Sequence, residues 1–268
     1  MFPEVDWSRR WYDTVRPAYE RLRPDTSLTD ALTDAAGALA LVNHQGLPIR
    51  FVPQAELPEG RAYEQFISAT GCVPTRDNLH DFFNGLVWLT FPRIKRQLNA
   101  LQAAQIALAG VGKSRGAARD GATIFDENSA LLVLRQGADG DALVHALRHH
   151  QWSEALLERR AMFGPHAQLW LFGHALMEKL VAPRKAITAH VRVVQADADY
   201  FTLGADAQRA WLDEHVAGIL AAESLSTASF TPLPVLGVPG WWPQQDAAFY
   251  ADATVFRPKR QPQPSEAS

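Results

Sequence analysis

From Gly71 to Asn99 the chain reads GCVPTRDNLHDFFNGLVWLTFPRIKRQLN, and few folds can accommodate that stretch. Pro74 cannot lie deep in a helix and Pro92 must end or kink one, so a helix of about Arg76 to Thr90 is predicted, capped by Thr75. Phe82, Phe83, Leu86, Val87 and Leu89 cover most of its surface, while Asp77, His80, Asp81 and Asn84 fall about one turn apart as a single polar stripe. A helix apolar on nearly every side is buried, so its stripe must face a cavity or another polar element. Carboxylates and an imidazole removed from water need partners, an ion or a changed protonation state. The residues also have an ordinary reading, in which Asp77 favours the helix N-terminus, Asp81 pairs with Arg76 or Arg93, and His80 is a satisfied core histidine.

A second segment offers matching chemistry: AQLWLFGHALMEKLVAPRKAITAHVRVV, residues 167–194. Gly173 allows a tight turn or close approach, and His174 and Glu178 lie one turn apart on the helix that follows, so the two can share a metal or a proton. Lys179, Arg184 and Lys185 supply cations, and a strand of about Ile187 to Val194 carries His190. Here the ordinary reading is an exposed Glu178 and Lys179 beside a histidine packed under the glycine turn. Other polar groups are read as structural. Asp126, Glu127, Asn128 and Ser129 form the turn of a hairpin over Thr123 to Leu134, and become ligands only if that tip points at the His80 helix. His145 and His149 have the i, i+4 spacing of a helical metal pair, but with His150 they sit in a solvent-facing pattern. The loop GKSRGAARDGAT lacks the strand-to-helix context and glycine spacing of a phosphate loop, though Arg115, Arg119 and Asp120 can serve an anion site or an ion-pair network.

The remaining elements define the class. Helices are predicted over Trp7 to Leu22, Leu28 to Val42 after a Thr26 or Ser27 cap, Ala62 to Thr70 closed by Gly71, Arg93 to Leu108, Asp141 to His150, Ser153 to Met162 and Ala205 to Ala222. Strands are predicted at Leu47 to Val52 and, as an edge, Phe249 to Phe256, with TPLPVLGVPGWWP as an extended ordered loop. The expectation is an α+β fold, a predominantly helical single domain over residues 1–257 with a small mixed or antiparallel sheet, and a disordered tail at 258–268. The 268 residues suffice for a sizeable core.

Several classes are excluded. A net charge of -3 gives no basic footprint for nucleic acid or acidic membrane. The first residues hold no signal-like apolar run, and nowhere do roughly 18 to 20 apolar residues follow one another, so no membrane span is expected. The single cysteine, Cys72, excludes an internal disulfide and any CxxC motif, which suits the cytoplasm. Nucleophile elbow, dinucleotide fingerprint and HExxH strings are absent from the sequence.

The strings TRDNLHDFFN, FPRIKRQLNALQ, RGAARDGATIFDEN, FGHALMEKL and KAITAH resemble those of an uncharacterised bacterial family, a domain of unknown function found mainly in proteobacteria. The resemblance spans residues 20 to 257, with Ser129 standing after FDEN where a turn would favour glycine. It implies one domain and brings no activity, substrate or catalytic residue.

Three readings of function stand side by side. In one, His80, His174 and His190 hold a divalent metal, zinc, manganese or iron, with Asp81 and Glu178 in the same cleft and Arg119 or Lys185 binding a small anionic substrate for hydrolysis. In the second the same groups work without metal, Asp81 or Glu178 as general base and a histidine as acid. In the third the polar groups form a buried network in a non-catalytic binding or scaffold protein.

Overall fold

The computed structural model describes residues 1–109, 117–223 and 225–259, with Ala109 and residues 117–119 described by backbone alone. The fold is α+β. Its helices are α1 (Arg16–Tyr19), α2 (Leu28–Ala38), α3 (Tyr63–Thr70), α4 (Leu79–Thr90), α5 (Pro92–Ala109), α6 (Ala117–Asn128), α7 (Ala138–Arg148), α8 (His174–Lys179), α9 (Ala205–Ala222) and α10 (Ala247–Tyr250). The strands are β1 (Arg50–Pro53), β2 (Cys72–Thr75), β3 (Ser129–Arg135), β4 (Ala167–Leu171), β5 (Thr188–Ala196) and β6 (Thr231–Pro234).

A mixed four-stranded sheet in the order β4-β3-β5-β6 forms the centre, with β3 antiparallel to β4 and parallel to β5, and β6 antiparallel to β5. Residues Ser129 to Leu134 of β3 are all buried, as a strand covered on both faces must be. β1 and β2 make a separate parallel pair. One contiguous hydrophobic core runs from Val5 near the N-terminus to Phe256. None of the described helices is long and apolar enough to cross a membrane.

Local chemistry explains where elements begin and stop. Ser27 caps α2 by accepting from the Asp30 N–H, and Gly71 ends α3 at φ 74°, a left-handed conformation that glycine adopts without strain. The central helix starts three residues later than the proline and Thr75 suggest. Residues 72–75 pair with β1 instead, and Asn78 is the cap, accepting from the Asp81 N–H at 2.8 Å. Pro92 then occupies the first position of α5, where its missing N–H costs nothing.

Three sequence expectations are corrected. Thr123 to Leu134 is no hairpin, because α6 runs through Asn128 directly into β3. Trp7 to Leu22 is not one helix but two short turns either side of residues 13–15. Phe249 to Phe256 adds no strand; α10 ends at Tyr250, and the phenyl rings of Phe249 and Phe256 pack together 5.3 Å apart.

Candidate metal centre

Three chain segments meet at one corner of the sheet: the start of α4, the end of α6 and the start of α8. His80 is the second residue of α4, Glu127 is next to last in α6, and His174 opens α8. What lets them converge is Gly173. A Cβ there would stand 2.5 to 2.6 Å from the Ser129 N, Asn128 N and Glu127 carbonyl oxygen, so only glycine lets the chain entering α8 lie against the α6–β3 junction. The Gly173 N–H donates to the Ser129 carbonyl at 2.8 Å and fixes that approach.

The imidazoles of His80 and His174 cross edge to face, with ring centroids 4.5 Å apart and Nε2 atoms 3.1 Å apart. The second Nε2 is also 3.6 Å from Oε2 of Glu127. One donor atom from each of the three side chains lies within 4.8 Å of the others, and among the described residues no other group of three or more His, Cys, Asp or Glu does so. Two nitrogens bound to one tetrahedral zinc at about 2.05 Å would be roughly 3.3 Å apart, and an N–H···N hydrogen bond spans about the same distance, so the 3.1 Å separation suits either a shared ion or a shared proton.

The far side of each ring faces a carboxylate. His80 Nδ1 lies 2.9 Å from Oε2 of Glu178, and His174 Nδ1, buried and without a full hydrogen bond, looks toward Oδ2 of Asp126 at 4.0 Å. Metal-bound histidines commonly carry such partners, which hold the ring with Nδ1 protonated and Nε2 as the lone pair. Burial holds the His174 ring down to about pKa 4, against the pull of the Asp126 carboxylate, so it is neutral at pH 7 and able to ligate.

Behind the cluster lies a buried network. Lys95, on the α5 side, donates to Asp126 Oδ1 at 2.6 Å and to Asn84 Oδ1 at 2.9 Å, and its ammonium lies over the Trp88 ring. Burial alone would raise Asp126, but Lys95, with help from the imidazoles, outweighs it and keeps the carboxyl below the ordinary range. Asn84 in turn donates to the Tyr63 hydroxyl at 3.1 Å. In front is a cavity of about 300 Å³ whose walls include Tyr63, Glu64, Arg76, Gln102 and Thr123. Burial pushes the Glu64 carboxyl up and the Tyr63 hydroxyl well up, while Asn99 donates to Glu64 at 2.7 Å.

The residues singled out from sequence fall into different places. His80, His174 and Glu178 meet, although 94 residues separate the two imidazoles. Asp81 borders the cavity but is engaged by Arg76, whose backbone N–H, Nε and Nη2 all donate to it. His190 stands outside the cluster, because the register of β5 sets it beside Ser129 and Pro232, where its ring packs near Phe230. Lys185 also lies apart, bonded to Asp252 at 2.7 Å and resting over Phe249. The side chains of Arg115 and Arg119 lie outside the described residues. Asp126 and Glu127, which the sequence makes turn residues and ligands only if they point at the His80 helix, do lie beside it, at the end of α6 and not on a hairpin; Lys95 reads from sequence only as part of a basic helix start. The one available clue was the FDEN string beside an apolar strand, whose acids read equally well as a turn.

Comparison with curated proteins gives no match, and comparison with solved structures gives none either. A family model does match, over residues 49–260, which takes in every member of the cluster and leaves out α1 and α2. The chain belongs to the family described as Protein of unknown function (DUF3025).

Proposed function

We propose that the corner formed by α4, α6 and α8 is the centre of a divalent-metal-dependent hydrolase acting on a small anionic substrate. One observation carries the reading: two imidazoles turn their Nε2 atoms toward each other and toward Glu127, while each Nδ1 faces a carboxylate of its own. Two nitrogens and a carboxylate oxygen suit zinc, manganese or iron better than calcium. When bound, such an ion polarises a carbonyl or phosphoryl oxygen and supplies water acidic enough to attack near neutral pH.

The chain's own groups take the other roles. Glu178 and Asp126 orient the rings, and Lys95 fixes Asp126 in place. Glu64 is a carboxyl whose raised pKa suits it to exchange a proton inside the cavity. Arg76 spends Nε and Nη2 on Asp81, and its half-exposed side chain keeps Nη1 for an acidic substrate group.

A second reading is favoured by the ties that Lys95 makes to Asn84 and Asp126, which bind α4, α5 and α6 together whether or not chemistry follows. It makes the cluster a structural network in a non-catalytic protein. Metal analysis separates the two. Protein reconstituted with zinc, manganese or iron is expected to hold one ion per chain, lost in both His80→Ala and His174→Ala, and to hydrolyse members of an ester and phosphoester panel only when loaded. Folded wild-type protein that takes up none of the three metals ends the metal-dependent reading; hydrolysis by that metal-free protein selects acid–base catalysis by the same groups, and no hydrolysis leaves the network.

A further inference from the structure

A second cavity, of about 480 Å³, opens along the free edge of the central sheet. Strand β4 is that edge, and the Leu171 N–H, which points away from β3, donates to the Thr14 hydroxyl at 3.2 Å. Beyond that contact Ala167 is bridged to Phe163 and accepts from the Gly164 N–H at 2.8 Å, and among the described residues no named strand other than β3 pairs with β4; the edge forms one wall of the cavity, with Arg10, Arg209, Gln168, Trp170 and Trp241 around it.

Two guanidiniums from different parts of the chain face this space with incomplete partners. Arg209, on α9, is 15% exposed and bonds an exposed Asp206 through Nη1 at 2.8 Å, while its Nε is buried with no acceptor. Leaving a buried donor of a charged group unpaired is costly. Arg10 has no ion pair or side-chain hydrogen bond among the described residues, yet its Nη1 rests against the Gly240 turn, 3.3 Å from where a Cβ would stand. Asp13 also lines the cavity, but Arg16 already holds it at 2.6 Å. The balance is therefore cationic. The indoles of Trp170 and Trp241 add flat apolar surface, and the volume is that of an ordinary small-molecule site.

The geometry points to a binding site for a small organic anion with a planar body, its acid group taken by Arg10 and Arg209 and its plane by the two indoles. The site shares no residue with the metal centre, and its argument is independent of the proposed hydrolase.

Calorimetric titration of the full chain tests it with three probes: 2-naphthoate, its uncharged amide, and inorganic phosphate. Naphthoate is expected to bind saturably, with the amide and phosphate each at least about tenfold weaker. Arg10→Gln and Arg209→Gln should each weaken naphthoate by about tenfold or more, and Arg10, being exposed, should do so without moving the melting temperature. His174→Ala should leave naphthoate binding unchanged. The assignment is overturned if naphthoate does not saturate, if the amide or phosphate binds as tightly, if Arg10→Gln binds like wild type, or if binding falls with His174→Ala.

Discussion

Among the described residues two pairs of histidines are in ring contact, and they are built in opposite ways. His145 and His149 are neighbours along α7, stacked with centroids 4.0 Å apart, and His149 Nδ1 is satisfied by the His145 carbonyl at 2.8 Å. His80 and His174 come from elements far apart in sequence, cross nearly at right angles, and have carboxylates behind both rings. The first pair has the spacing usually taken as the sign of a metal site; the second has the surroundings. Spacing along one helix brings rings together whatever the environment, whereas two imidazoles brought Nε2 to Nε2 from separate elements must share a proton or an ion between them.

Breaking the charge behind the cluster should have the largest effect. Lys95 is 4% exposed and is the cation bonded to Asp126. Lys95→Met keeps the volume but leaves a buried carboxylate uncompensated, so a loss of about 3–5 kcal/mol in urea unfolding is expected. An unchanged midpoint would mean that the corner is not held by this pair. Asp213 provides a contrast, a buried carboxylate that caps α5 by accepting from the Arg93 and Ile94 N–H groups. Burial dominates there and raises it to about 6, above the ordinary carboxylate value. Its contribution is thus present below about pH 4 and lost as pH rises through about 6, a change of up to about 3 kcal/mol. In Asp213→Asn, unfolding free energies between pH 4 and 7 should lose that downward slope, and a slope as steep as in wild type would contradict the assignment.

Gly173→Ala tests the approach that makes the second pair possible. The added methyl meets three backbone atoms within 2.6 Å, none of which can swing aside, so about 1–3 kcal/mol of stability should be lost. Metal affinity should fall with it, because the start of α8 must back away from the end of α6. Glu178→Gln is gentler. It keeps the shape behind His80 but replaces a charged acceptor, and a drop in metal affinity of about 10–100-fold with little change in melting temperature is expected. Equal affinity in the two proteins would make Glu178 a surface residue that only happens to lie near the ring.

How much of this could be read in advance depends on how local each signal is. The Ser27 cap, the Gly71 stop and the whole of α9 rest on neighbouring residues, and the sequence reading places them closely. The His80, Asp81 and Asn84 part of the stripe, which lies on α4, is likewise local, since its periodicity alone requires a polar partner, while Asp77 falls before the Asn78 cap and is exposed. Glu127 is different. Asp126, Glu127 and Asn128 are favourable in a turn and equally tolerable at the end of a helix, and only packing against Gly173 decides between the two. Lys95 was legible as the basic start of α5, but its burial comes from Asn84 and Asp126, which lie on two other helices. His190 misleads for the same reason, as the register with β3 and β6 that carries it away from the cluster is a property of the sheet.

The smallest effect is the most discriminating. His149→Ala removes one ring of the exposed stack, and the remaining His145 keeps its place on α7, so stability should move by less than about 0.5 kcal/mol. A single imidazole lost from an exposed i, i+4 pair weakens only adventitious chelation, so metal stoichiometry measured after dialysis should be identical to wild type. His174→Ala, by contrast, should abolish retained metal although it removes the same chemical group. If instead His149→Ala strips the ion and His174→Ala keeps it, helical spacing rather than convergence has selected the site, and the corner of α4, α6 and α8 is a structural network.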